Sequence, residues 1–281
     1  MANRAERALS QQSTLTHVAQ TRPLTLFFLF AYAWSWAIWL VVPWIAQRAG
    51  LGADSDAFQI AIIMIGACGP MVAAFVVRWL GHRDLRICPV WTGLPALLIG
   101  LVGGVLCFFL ATVVAPALVL VKAPLPTLHW SALLHWSTYA VNYSTFLGGP
   151  INEEPGWRGF ALPRLQARFG PYVASIILGV FWAGWHLPLF RIPGWNSASP
   201  GQYVLILIGL SFLMTMAANL GKFSVIVAIM MHAFFNTSSG MVNALTRDLP
   251  PRPHPMWSYT LAIFVCGTAI GIVALETQVR R

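Results

Sequence analysis

The sequence predicts an all-α fold, a polytopic membrane bundle of about eight transmembrane helices, and three observations predict it. Of 281 residues, 58% are hydrophobic and only 9% are charged, against roughly 25% charged in a soluble domain. Apolar runs long enough to cross a bilayer, about 20 residues each, recur along the chain. The 17 Lys and Arg outnumber the 8 Asp and Glu, and they concentrate in alternate loops. So few charges cannot build the polar shell of a soluble globule. A water-soluble enzyme, a nucleic-acid module and a disordered chain are therefore excluded, and nucleic acid is not an expected partner.

The qualifying runs are 24–46, 57–80, 93–121, 132–154, 171–190, 202–220, 223–243 and 257–276. The first 23 residues are polar, contain Arg4, Glu6, Arg7 and Arg22, and lack the pattern of a cleaved signal peptide. Residues 24–281 read as a single transmembrane domain without internal repeats. The fourth run is the weakest, interrupted by Asn142, Tyr143, Ser144 and the glutamates; the sixth and seventh are separated only by the tight turn Gly221-Lys222. With the N-terminus inside, twelve basic residues, among them Arg22, Arg78, Arg86, Arg164, Arg168 and Lys222, fall on the inner side and five on the outer. This is the positive-inside asymmetry; it predicts an integral protein of the plasma membrane with both termini cytoplasmic. Cys68, Cys88, Cys107 and Cys266 have no CxxC spacing, so neither a disulfide framework nor a thiolate metal site is expected. The stretch 155–170 mixes Trp157, Phe160 and Phe169 with Arg158, Arg164 and Arg168. It suits a linker at the headgroup boundary, or an ordinary cytoplasmic loop.

Ionisable groups inside a span need a partner or a cavity, and three places need one. Glu153 and Glu154 are adjacent in a chain with eight acids. If the segment is helical, Glu154 and Arg158 share a face at i,i+4 and can pair. Glu153 then points about 100° away, unpartnered in its own segment. This divides the labour: Glu154 held by Arg158, Glu153 free for chemistry. Pro155 and Gly156 interrupt that helix, and a solvated pair at the end of the fourth span is the plain alternative. The second place is Trp182 and His186 at i,i+4 in the fifth run, and the third is His232 and Asn236 at i,i+4 in the seventh. Each alone also fits interhelical hydrogen bonding. Converged, they supply a carboxylate base, two imidazoles and an amide, enough to activate water and stabilise an oxyanion. Glu153, His186 and His232 also make the donor set of a zinc site.

The order Glu-Glu-x-x-x-Arg, aromatic-x-x-x-His and His-x-x-x-Asn, each in an apolar segment, resembles the CPBP family: CAAX prenyl proteases of the Rce1 type and bacteriocin-processing or immunity relatives, also called the Abi family. The resemblance covers about 132–243. Glu153, Glu154, Arg158, His232 and Asn236 match in full; where the family has Phe four residues before the second-motif His, this chain has Trp182. The resemblance implies an intramembrane endopeptidase of glutamic or metallo type acting on a peptide or protein substrate in the lipid bilayer. Carried over, Glu153 activates water, His186 positions it, His232 and Asn236 bind the water or the oxyanion, and Glu154 with Arg158 orients Glu153. A zinc cofactor on Glu153, His186 and His232 and a metal-free mechanism both fit the family. A transporter, or a catalytically silent immunity or scaffold protein, are the competing readings. For the polar groups to meet at one depth, the helix carrying Glu153 has to continue past Glu154, to about Leu162, or the next has to begin later or tilt.

Overall fold

The structure is a computed structural model that describes residues 14–52, 55–81, 85–114, 131, 134, 149–192, 195–245 and 256–279. It is an all-α bundle, and no strand occurs among the described residues. The helices are α1 (Pro23–Arg48), α2 (Asp56–Leu80), α3 (Leu94–Phe109) with a π turn at Leu110–Val114, α4 (150–169), α5 (171–185), α6 (Pro200–Leu220), α7 (Val225–Leu245) and α8 (256–279). Most of the fourth apolar run lies outside the described residues, as do His82, His129, His135 and His254.

The bundle is apolar outside as well as inside. Trp79, Val102 and Val273 are 70%, 69% and 63% exposed, a surface that lipid covers and water would not. Interior contacts rely on small residues, as expected where burial gives helices in lipid no driving force. A Cβ on Gly104 would stand 2.8 Å from the Phe234 ring, so α3 lies tight on α7. Gly179 brings α5 equally close to Ile208 on α6.

Two features of the chain around 150–191 position the site. Gly149 takes a left-handed φ of 83° and starts α4 at Pro150. The glutamate pair therefore sits in the opening turns of a helix, not at the closing end of the fourth apolar run as its hydropathy suggests. The chain then stays helical through Pro155 and through a π turn at Trp157–Ala161, well past Leu162. This meets the depth requirement read from the sequence. The interfacial linker expected at 155–170 is corrected in its first half: Trp157, Arg158, Phe160, Ala161 and Leu162 are buried, while Ala167, Arg168 and Phe169 are exposed. Pro155 removes one backbone donor, and the π turn accommodates the mismatch downstream.

The second feature is Gly170, whose φ of 73° and ψ of 170° break the helix before Pro171. A straight helix would separate Arg158 from Trp182 by about 36 Å, yet the guanidinium carbon lies 4.1 Å from the indole centroid. The chain therefore folds back at Gly170, and α4 and α5 form an antiparallel hairpin. Gln166 Nε2 donates to Asn219 Oδ1 at 3.0 Å, so the Gly170 turn stands about four residues, or ~6 Å, beyond the end of α6.

One end of the bundle gathers several basic segments. The π turn leaves the Gly159 carbonyl to accept from the Cys88 N–H at 2.9 Å, and the Pro89 and Val90 carbonyls cap the first N–H groups of α7 at Val225 and Ile226. Arg164 donates to the Arg86 and Phe160 carbonyls at 2.8 and 2.7 Å. The neighbouring turn between α6 and α7 passes through Lys222 and Phe223, both with positive φ.

Candidate active site

Six residues singled out by the sequence lie on three elements: Glu153, Glu154 and Arg158 on α4, His186 at the end of α5, and His232 and Asn236 on α7. Measured by helical rise, Glu153 lies about 16 Å from Arg164, and His232 about 10 Å from Val225. The site is therefore deep in the bundle.

Glu154 is fully buried and Arg158 nearly so. Arg158 Nη1 donates to Glu154 Oε1 at 2.9 Å and to Oε2 at 3.0 Å, the i,i+4 pair expected from spacing. Nη2 reaches Ser211 Oγ on α6 at 3.4 Å, and the guanidinium plane packs over Trp182. A buried charge without a partner is costly; here the pair is closed on itself and braced by a hydroxyl and a ring. Glu154 Oε1 also receives His232 Nδ1 at 2.9 Å. An ion-paired carboxylate only accepts, so Nδ1 carries the proton and Nε2 of a neutral His232 carries a lone pair.

Glu153, 3% exposed, points away from its neighbour as the 100° offset requires. It is bound across the hairpin: Trp182 Nε1 donates to Glu153 Oε2 at 2.7 Å. Its other oxygen, Oε1, faces the Gly149 backbone, where a Cβ would collide with it.

Trp182 is the residue that sequence reasoning left out of the site. Its indole N–H holds Glu153, its face carries Arg158, its ring meets His232 edge-on at 5.0 Å between centroids, and its carbonyl accepts His186 Nδ1 at 2.8 Å. A buried Trp N–H needs a partner, so Trp standing where the family has Phe was the available signal.

His186 joins the group through Trp182, with ring centroids 6.2 Å apart. A carbonyl only accepts, so His186 also carries its proton on Nδ1 and a lone pair on Nε2. Its ring stacks against Trp195 and meets Tyr203 edge-on at 5.3 Å. Its backbone is fixed by α1, where Tyr32 Oη donates to the Phe181 carbonyl at 2.6 Å and Trp36 Nε1 to the Trp185 carbonyl at 3.0 Å. Asn236 follows His232 by one turn of α7 and is half-buried.

As a zinc set, Glu153, His186 and His232 do not fit: among the described residues no three His, Cys, Asp or Glu are grouped to hold a metal ion. Glu153 Oε2 is held by Trp182 and His232 Nδ1 by Glu154 Oε1, so these groups are drawn to separate partners.

Comparison with known proteins bears on this same region. Residues 134–238 match the family model described as Type II CAAX prenyl endopeptidase Rce1-like. CAAX prenyl protease 2 of Methanococcus maripaludis is 30% identical over 107 residues, covering 34% of this chain and 38% of the relative. The chain thus matches well under half the length of that relative.

Proposed function

We propose that the chain, whose residues 134–238 are similar to Rce1-like CAAX prenyl endopeptidases, is an intramembrane endopeptidase in which Glu153 activates water. The observation that carries this reading is the buried convergence of Glu153 and the Glu154–Arg158 pair with His232 from another helix, joined through Trp182.

In the proposed reaction Glu153 takes a proton from water as its oxygen attacks the peptide carbonyl carbon. The water's other O–H is donated to the Nε2 lone pair of His186 or of His232, which orients it, and the Asn236 amide donates to the oxyanion that forms. Glu153 then passes the proton to the leaving amine as the C–N bond breaks. Glu154 and Arg158 hold His232 and the Trp182 ring, and Trp182 holds Glu153. Every step runs on protein groups. The relative's name directs the first substrate trial to a prenylated C-terminal peptide; a leader peptide or other membrane-associated polypeptide is the alternative class.

The test is cleavage of farnesylated and unprenylated peptides by the purified protein, with Glu153→Gln and His232→Ala beside wild type. The expected result is a loss of at least a hundredfold in both variants with the fold retained. Cleavage at the wild-type rate in both removes the mechanism. Normal folding with no cleavage of any peptide by wild type favours the scaffold reading.

A further inference from the structure

The basic end of the bundle contains a cavity of about 490 Å³ outside the candidate active site, between the start of α1 and the outer part of α4. Arg22, Arg164 and Arg168 line it with Thr21, Thr25 and the first turn of α1, and among the described residues no acidic side chain lines it. We propose that this cavity binds the phosphate group of an anionic membrane lipid.

Three observations converge on that chemistry. First, Arg22 and Arg168 are exposed, while Arg164 is half-buried and held in place by the Phe160 and Arg86 carbonyls. Those bonds use two of the five guanidinium donors, so Arg164 offers a fixed cation with donors to spare. Second, α1 begins at Pro23 without a side-chain cap. Its opening residues line the cavity; Pro23 has no N–H, so the backbone donors there are those of Leu24 and Thr25. The Thr25 side chain supplies a neutral donor beside them, while the Thr21 hydroxyl donates to the His17 carbonyl at 2.8 Å. Third, the depth is that of a headgroup. Pro23 opens a 26-residue apolar helix, and Phe169, 43% exposed, lies beside Arg168 at the Gly170 turn. A phosphate at this level has its acyl chains against the apolar flank of α1. Guanidinium pairs bind phosphate in a bidentate way that a choline headgroup's own cation opposes, so anionic lipid is favoured over zwitterionic.

The experiment uses native mass spectrometry of the full chain released from micelles containing equal phosphatidylglycerol and phosphatidylcholine. Wild type is expected to retain phosphatidylglycerol at least tenfold over phosphatidylcholine. Arg22→Gln with Arg168→Gln removes two exposed cations without touching the core, and is expected to erase that preference. Arg22→Lys with Arg168→Lys is expected to keep part of it, and Arg48→Gln, far along α1, all of it. Equal retention of the two lipids by wild type, or an unchanged preference in the double Gln variant, overturns the site. Displacement of phosphatidylglycerol by sub-millimolar inorganic phosphate overturns the lipid assignment and makes a soluble phosphate compound the ligand.

Discussion

Replacing Trp182 by Phe, the residue the family pattern carries there, is the sharpest test of how Glu153 is held. The phenyl ring keeps the edge contact with His232 and a face for Arg158, and the backbone carbonyl still accepts from His186. What disappears is one bond, the 2.7 Å donation from Nε1 to Glu153 Oε2. A hydrogen bond to a charged group contributes about 1.5–3 kcal/mol, and ~1.4 kcal/mol is tenfold in rate. If that bond aims Glu153 at water, kcat/KM falls about ten- to a hundredfold. KM stays near its wild-type value, because Trp182 holds the base and not the peptide. The assay is steady-state cleavage of the best peptide substrate, with thermal unfolding recorded in parallel. A double-mutant cycle with Glu153→Ala separates positioning from packing, since Trp182→Phe should cost little stability once its acceptor is gone. Trp182→Phe cleaving within twofold of wild type, at equal stability, would refute the positioning role.

Three further outcomes follow from the same geometry. Arg158→Gln leaves the buried Glu154 carboxylate without its counter-charge and should cost about 3–5 kcal/mol in unfolding free energy; Arg158→Lys should rescue little, because an ammonium on Glu154 has no second arm for Ser211 and no plane to lie flat on Trp182. A measured loss below ~1 kcal/mol would show that the pair does not brace α4. Gly149→Ala forces a side chain into a left-handed backbone and against Glu153 Oε1, so kcat should collapse while KM changes little, which single-turnover kinetics will check. Burial pushes the Cys88 thiol above its ordinary range, against the opposing pull of the Arg164 guanidinium. In a chain with the other three cysteines replaced, Cys88 alkylation should therefore lag a free thiol near neutral pH and rise only in more alkaline buffer. Arg164→Gln should move that rise to still higher pH.

The spans were legible because hydrophobic length is a one-dimensional property: Pro200–Leu220 and Val225–Leu245 fall within two residues of their apolar runs. The Glu154–Arg158 pair was legible because helical spacing alone puts i and i+4 on one face. The first half of the stretch 155–170 was misread for a physical reason. Pro155 and Gly156 are helix-breaking signals, and arginines among aromatics look the same whether they face phosphates or each other's rings. Only tertiary packing decides, and Gly156 lies directly against the Pro70 backbone of α2, where no side chain would fit. Trp182 stood out beside His186, but its hold on Glu153 was not legible, because that role depends on a partner 29 residues away across a reversal at Gly170, and nothing local marks that partner.

That reversal also orders the assembly of the site. Glu153, Glu154, Arg158, Trp182 and His186 all lie on one hairpin, so their mutual contacts close over short stretches of chain as soon as α5 is made. His232 arrives 46 residues after His186, at the far side of α6. During synthesis the carboxylates and the indole can therefore be in place while the imidazole that Glu154 orients is still missing. On the proposed mechanism, the constellation is completed only when α7 docks, and a half-built chain carries its base without its full water-orienting shell among the other nascent proteins of the membrane.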